Sequence, residues 1–151
     1  MKKTPVAVIL VAFVICSVTA YYLSSLGSET KQPLTVQPSK CEKTGADYLI
    51  VADMQGFNDS VDHLRNHPND PWPVIRAHKG DRISVIVCNL DDYSSHGFAI
   101  EHYFDQGIAL MPHESYRITL TVQDTGSFRI YCNILCPVHV YMQNGELSVT
   151  G

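Results

Sequence analysis

Gly126-Ser127-Phe128-Arg129-Ile130-Tyr131-Cys132-Asn133-Ile134-Leu135-Cys136-Pro137-Val138-His139-Val140-Tyr141-Met142 is the stretch whose reading decides the fold. Its first half alternates: Phe128, Ile130 and Cys132 share one face of a strand that follows the Asp124-Thr125-Gly126 turn. Its second half has the spacing C-x3-C-x2-H-x2-M, with four soft or borderline donors in one loop. Leu147 and Val149, after the Asn144-Gly145 turn, begin another strand, so the donors lie between two strands.

Working outward, further strand signals recur at short intervals. Tyr48 to Met54 and Arg82 to Cys88 are β-prone, and Pro73 to Ala77 is a short run after a Pro-rich loop. Phe98 and Ile100 alternate with Ala99 and Glu101, and Tyr116 to Val122 places apolar residues inward and polar ones outward. Many short strands with turn residues between them, and no long amphipathic helix, predict an all-β sandwich or barrel. Asp59 to Asn69 is the exception, where Asp59 or Ser60 could cap a helical turn ending before Pro68.

The 151 residues allow one domain and an appendage. Met1-Lys2-Lys3 precedes a nearly uninterrupted apolar run from Pro5 to Leu23. As a helix that run would reach roughly 28 Å, close to a hydrocarbon core of ~30 Å. Residues 1–23 are therefore expected to be one transmembrane helix, with the lysines cytoplasmic and Tyr21 and Tyr22 at the far interface. A cleaved signal peptide ending at Val18-Thr19-Ala20 is the rival. Residues 24–40, polar and containing Pro33 and Pro38, read as a linker, and residues 41–151 as the folded domain. That domain carries seven basic and fourteen acidic residues, a charge of −7, against −4 for the whole chain. A general nucleic-acid binder is excluded on this balance. Both N-terminal readings place the domain on the extracytoplasmic side of the cell membrane, where a free thiol is unusual unless a metal holds it.

Thiolate, imidazole and thioether together favour copper. Zinc has little use for Met and normally takes four strong ligands, and iron–sulfur clusters usually take four Cys. A Cys132–Cys136 disulfide would close a small, strained loop and leave His139 and Met142 unexplained. With these residues, His96-Gly97-Phe98-Ala99-Ile100 and Gly145-Glu146-Leu147-Ser148-Val149 complete a pattern that resembles a cupredoxin. More narrowly, it resembles the CuA domain of haem-copper oxidase subunit II and of nitrous-oxide reductase, over roughly Tyr48 to Val149. The resemblance implies a Greek-key β-sandwich behind one N-terminal transmembrane helix, as in single-span oxidase subunits II. It implies a dinuclear copper centre bridged by Cys132 and Cys136. His96 and Met142 would complete one copper, and His139 and the Ile134 carbonyl the other. The implied function is single-electron transfer in a respiratory chain, as a cytochrome c oxidase subunit II-like component. The chain by itself would be an electron carrier, with cytochrome c or a small copper protein as donor. A haem-copper catalytic subunit would be the acceptor.

The chain departs from that family in having two residues, not three, between Cys136 and His139, and Ile134 where Glu or Gln is frequent. The spacing C-x2-H-x2-M also resembles a mononuclear blue-copper loop, with His96, Cys136, His139 and Met142 as ligands. A copper chaperone or storage module, or a disulfide-exchange protein, are further alternatives. Among the other residues, Cys88 reads as a buried apolar residue and Cys41 as idle or intermolecular. His63 and His67 read as a solvated pair, and His102 as a solvent-facing residue near His96. Asp91, Asp92, Glu101 and Asp105 read as a candidate acidic rim near His96, suited to a basic partner. The anchor has a direct test: N-terminal sequencing of the mature chain is expected to retain residues 1–23, and a chain beginning at Tyr21 removes the anchor.

Overall fold

The computed structural model describes residues 34–58 and 72–151. The chain divides into two units, Met1–Lys31 and Gln32–Gly151, and the described residues belong to the second. The expected transmembrane helix at 1–23 and the helical turn at 59–69, with His63 and His67, lie outside the described residues. Among the described residues, no helix is long and apolar enough to cross a membrane.

The described chain is all-β, with ten strands and one turn of 3-10 helix. The strands are β1 Thr35–Pro38, β2 Tyr48–Asp53, β3 Gly56–Asn58, β4 Val74–His78, β5 Arg82–Asn89, β6 His96–Ile100, β7 Phe104–Leu110, β8 Ser115–Thr121, β9 Gly126–Tyr131 and β10 Gly145–Thr150. They form two five-stranded sheets, ordered β1-β8-β5-β2-β3 and β4-β10-β9-β6-β7. Pairing is antiparallel except for β2 with β5 and β4 with β10.

The alternation read in β8 is what packs the sandwich. Ile118 and Leu120 are buried in the core, as is Val122 just beyond, while Arg117 and Thr119 face the other way. Ile83, Val85 and Val87 of β5 join them from the neighbouring strand. Ile75, Ile130, Leu147 and Val149 supply the opposite sheet. Each fully buried Ile or Phe contributes about 1.5–3 kcal/mol relative to an exposed one. Phe57 and Phe98, one from each sheet, meet edge-on with centroids 5.9 Å apart.

Three strands were not expected. Thr35–Pro38 lies within the stretch read as a linker, yet pairs with β8 along its whole length. β3 is three residues long, and β7 contains Asp105, Gln106 and Gly107, none a good strand former. β7 exists because it folds back on β6 across the Glu101–Tyr103 turn.

The expectation for Cys88 and Cys41 is corrected: they form an intramolecular disulfide, with Cα atoms 5.5 Å apart. Ser84, Ile86 and Cys88 alternate away from the core side of β5, so Cys88 faces outward from the sandwich. The segment running into β2 crosses that face. Arg117 donates to the carbonyls of Gly45 and Thr44, and Asp47 accepts the Ser84 amide at 2.7 Å. The disulfide ties this strap to β5 and seals Cys88 at 0% exposure. It closes a loop of separation 47, so its removal is expected to cost about 2–5 kcal/mol. Urea unfolding of the C41A/C88A variant should show a lowered midpoint, with a steeper slope as the unfolded chain expands; an unchanged midpoint refutes the strap's role.

Candidate metal centre

Backbone closes the donor loop at its base. The Cys132 amide donates to the Met142 carbonyl at 2.7 Å, and Gln143 Nε2 donates to the Cys132 carbonyl at 2.9 Å. Within the loop the His139 amide donates to the Cys136 carbonyl, and His139–Met142 forms the 3-10 turn. Such turns repeat every three residues, so side chains three apart eclipse one another. Cys136, His139 and Met142 stand three apart. The spacing C-x2-H-x2-M thereby sets thiol, imidazole and thioether along one side of the loop.

The donors converge. Cys136 Sγ lies 3.6 Å from Cys132 Sγ and 3.9 Å from Met142 Sδ. Both cysteines are free thiols, and 3.6 Å is far beyond the ~2.05 Å of a disulfide. Cys132 Sγ donates to the Ile134 carbonyl at 3.1 Å, and His139 Nδ1 faces the same carbonyl at 3.0 Å. The two sulfurs and a His139 ring nitrogen all lie within 4.8 Å of one another.

His96 arrives from another part of the chain as the first residue of β6, and it is wholly buried. Its Nε2 lies 3.2 Å from Asp91 Oδ2. Its Nδ1 has no hydrogen-bond partner among the described residues. A buried imidazole nitrogen left without a partner is costly, and a metal ion is the partner that would satisfy it. The next amide, of Gly97, donates to Cys132 Sγ at 3.1 Å, so His96 is one residue from the thiol. Position 97 must be glycine, because a Cβ there would stand 2.7 Å from the Asn133 nitrogen and 2.9 Å from that of Ile134. The Asn133 side chain continues under the loop, donating from Nδ2 to the Gln106 carbonyl at 2.8 Å.

Burial and neighbouring groups act oppositely on the two acids of the site. Burial, and after it the neighbouring Cys132, pushes the Cys136 thiol up to about 12. Two buried thiols give up their protons when a positive ion takes their place. Around Asp91 the balance runs the other way. Burial works to raise it, but the amides of Tyr93 and Ser94 and then His96 outweigh burial and hold its carboxyl below the usual carboxylate range.

Five of the six expected residues, Cys132, Ile134, Cys136, His139 and Met142, are linked by these contacts, and His96 is tied to them only through the backbone amide of the next residue, Gly97. The acidic rim does not survive as a unit. Asp91 is a buried partner of His96, with its side chain 4% exposed. Asp92 pairs with His113 at 3.3 Å. Glu101 and Asp105 lie at the opposite end of β6, where they accept the amides of Arg129 and His102. His102 is there too, in the turn after β6 and paired with Asp124, beyond roughly 13 Å of strand from His96. Sequence reasoning placed Asp91 near His96 but on an exposed rim, and it gave Gly97 and Asn133 no role of their own. The polar run Asn89-x-Asp91 just before His96 was the available signal.

No family model matches the chain, and no curated protein matches it. Solved structures do. The copper-containing nitrite reductase from Thermus scotoductus SA-01 overlays 70% of this chain at 14% identity, with a TM-score of 0.52. A multicopper oxidase from Campylobacter jejuni overlays 69% at 16% identity, also with a TM-score of 0.52. The chain spans about a third of each, 31% and 30%. A haem-copper terminal oxidase dimer overlays 95% of this chain and 96% of its own at 18% identity, with a TM-score of 0.49. At such identities the likeness to the nitrite reductase and the multicopper oxidase is one of fold, the cupredoxin-like β-sandwich. Gly97→Ala is expected to push the donor loop off β6 and weaken metal binding at least tenfold while the sandwich still unfolds cooperatively. Metal titration beside thermal unfolding checks this, and unimpaired binding refutes the close approach.

Proposed function

We propose that this protein is a membrane-anchored copper protein that passes single electrons through a dinuclear CuA-type centre. The observation that carries the reading is the convergence of two thiols, a thioether, an imidazole and a backbone carbonyl, with a second buried imidazole whose Nδ1 has no partner among the described residues. Soft sulfur donors with imidazole select copper, and two proteins sharing the fold are named for that metal. Cys132 and Cys136 would be shared by both ions, His96 and Met142 would serve one, and His139 and the Ile134 carbonyl the other. Copper supplies one-electron redox chemistry there, one electron accepted and one passed on. The chain's own groups hold the donors still: the Cys132–Met142 backbone bond fixes the loop, and the Gly97 amide offsets charge on Cys132 Sγ. A mononuclear centre of His96, Cys136, His139 and Met142 would leave out Cys132, which touches Gly97, Ile134 and Cys136 alike.

The setting we infer is a cytochrome c oxidase subunit II-like component. Residues 1–23 would be its anchor, residues 24–40 its linker and residues 41–151 its copper domain on the extracytoplasmic side. The Cys41–Cys88 disulfide supports that side, since such bonds persist in oxidising compartments. His139 is half-buried, and Leu135 and Val140 beside it are 93% and 61% exposed. They offer an apolar contact for a donor, cytochrome c or a small copper protein, with a haem-copper catalytic subunit as acceptor. Copper loading followed by paramagnetic resonance is the test. Two coppers per chain and hyperfine splitting shared by two nuclei are expected, both lost in Cys132→Ser. Splitting by a single nucleus overturns the dinuclear centre. Copper(I) with no coloured oxidised state overturns electron transfer in favour of a chaperone or store.

A further inference from the structure

Asp91 is held by a buried polar network. Its backbone amide donates to Asn89 Oδ1 at 2.9 Å, and Asn89 Nδ2 donates in turn to the carbonyls of Ser94 and Leu110 at 2.8 and 3.0 Å. Asp91 Oδ1 accepts the amides of Tyr93 and Ser94, at 2.9 and 3.0 Å. Oδ1 is thus occupied, and Oδ2 is left for His96 Nε2 at 3.2 Å. The network joins the end of β5, the loop after it and the end of β7, so the carboxylate is as firmly placed as the strands.

One proton lies on one of the two ring nitrogens of a neutral imidazole. Were it on Nδ1, that N–H would be buried with no acceptor among the described residues. On Nε2 it has Asp91 Oδ2. We propose that Asp91 is a positioning residue for His96: by accepting the Nε2 proton it fixes the tautomer in which Nδ1 is a bare lone pair, ready for a metal ion before any ion arrives. The carboxylate also makes the imidazole a stronger donor, which favours the more highly charged oxidation state of a bound metal. The copper part of this proposal rests on the metal-centre reading; the tautomer part does not.

The first test needs no metal. In the metal-free full chain with nitrogen-15-labelled histidine, the His96 resonances, assigned by their loss in H96Q, should report the Nε2–H tautomer. The Nδ1–H tautomer overturns the proposal. The second test is Asp91→Asn. Asparagine has one acceptor oxygen, which the Tyr93 and Ser94 amides claim, so its NH2 group faces Nε2 and drives the proton to Nδ1. Copper affinity should fall roughly 10–100-fold, and the potential of any copper still bound should rise. Asp91→Glu should restore the tautomer and part of the affinity. An Asp91→Asn protein with unchanged tautomer and affinity overturns the proposal, and if that variant fails to fold the wild-type tautomer decides alone. A wild-type chain that binds no copper would defeat the electron-carrier reading, while the tautomer measurement would still judge Asp91.

Discussion

Where the donor loop crosses β6, main chain lies against main chain, because position 97 carries no side chain. That absence governs the whole end of the sandwich. It brings the Gly97 amide onto Cys132 Sγ, fixes His96 one residue from the thiol, and leaves room for Asn133 to reach the Gln106 carbonyl. Close-packed interiors cannot absorb even one extra carbon without moving something. The loop's register on β6 is therefore set by exclusion, and the donors inherit that register.

The same end of the molecule shows how a β-sandwich tolerates buried polarity. Asn89, Asp91 and His96 are, with Asn58, the buried polar residues of an otherwise apolar interior among the described residues. Each polar atom is answered by another within the network, except His96 Nδ1. Fully answered networks are rigid, and one unanswered atom inside such a network marks a place where something else binds. Burial also opposes ionisation of the Cys136 thiol, and a cation is one thing that would reverse that balance.

Much of this was legible in the sequence because it is local. β5, β8 and β9 announce themselves by alternation, and the three-residue spacing of Cys136, His139 and Met142 needs only the geometry of one turn. β7 was not legible: Asp105-Gln106-Gly107 has no strand preference, and β6 imposes its conformation. The sandwich and the donor loop came from pattern, and the full set of six candidate ligands from the resemblance. What pattern missed was environment. Asp91 and Asp105 look alike as letters, yet one is sealed beneath His96 and the other lies at the far end of the domain. The Cys41–Cys88 bond joins residues whose proximity depends on a strap crossing a sheet face, which no local rule encodes.

The two cysteine pairs also give the protein opposite requirements. The strap is complete only when Cys41 and Cys88 are oxidised, whereas the donor loop is competent only while Cys132 and Cys136 are reduced. With sulfurs 3.6 Å apart, the second pair needs little movement to be oxidised by whatever closed the first. If the domain matures outside the cytoplasm as proposed, the strap has to close while the loop is kept as, or returned to, thiols. The two sulfur pairs thus differ in setting as well as in state, one bonded beneath a strap and the other free at a loop.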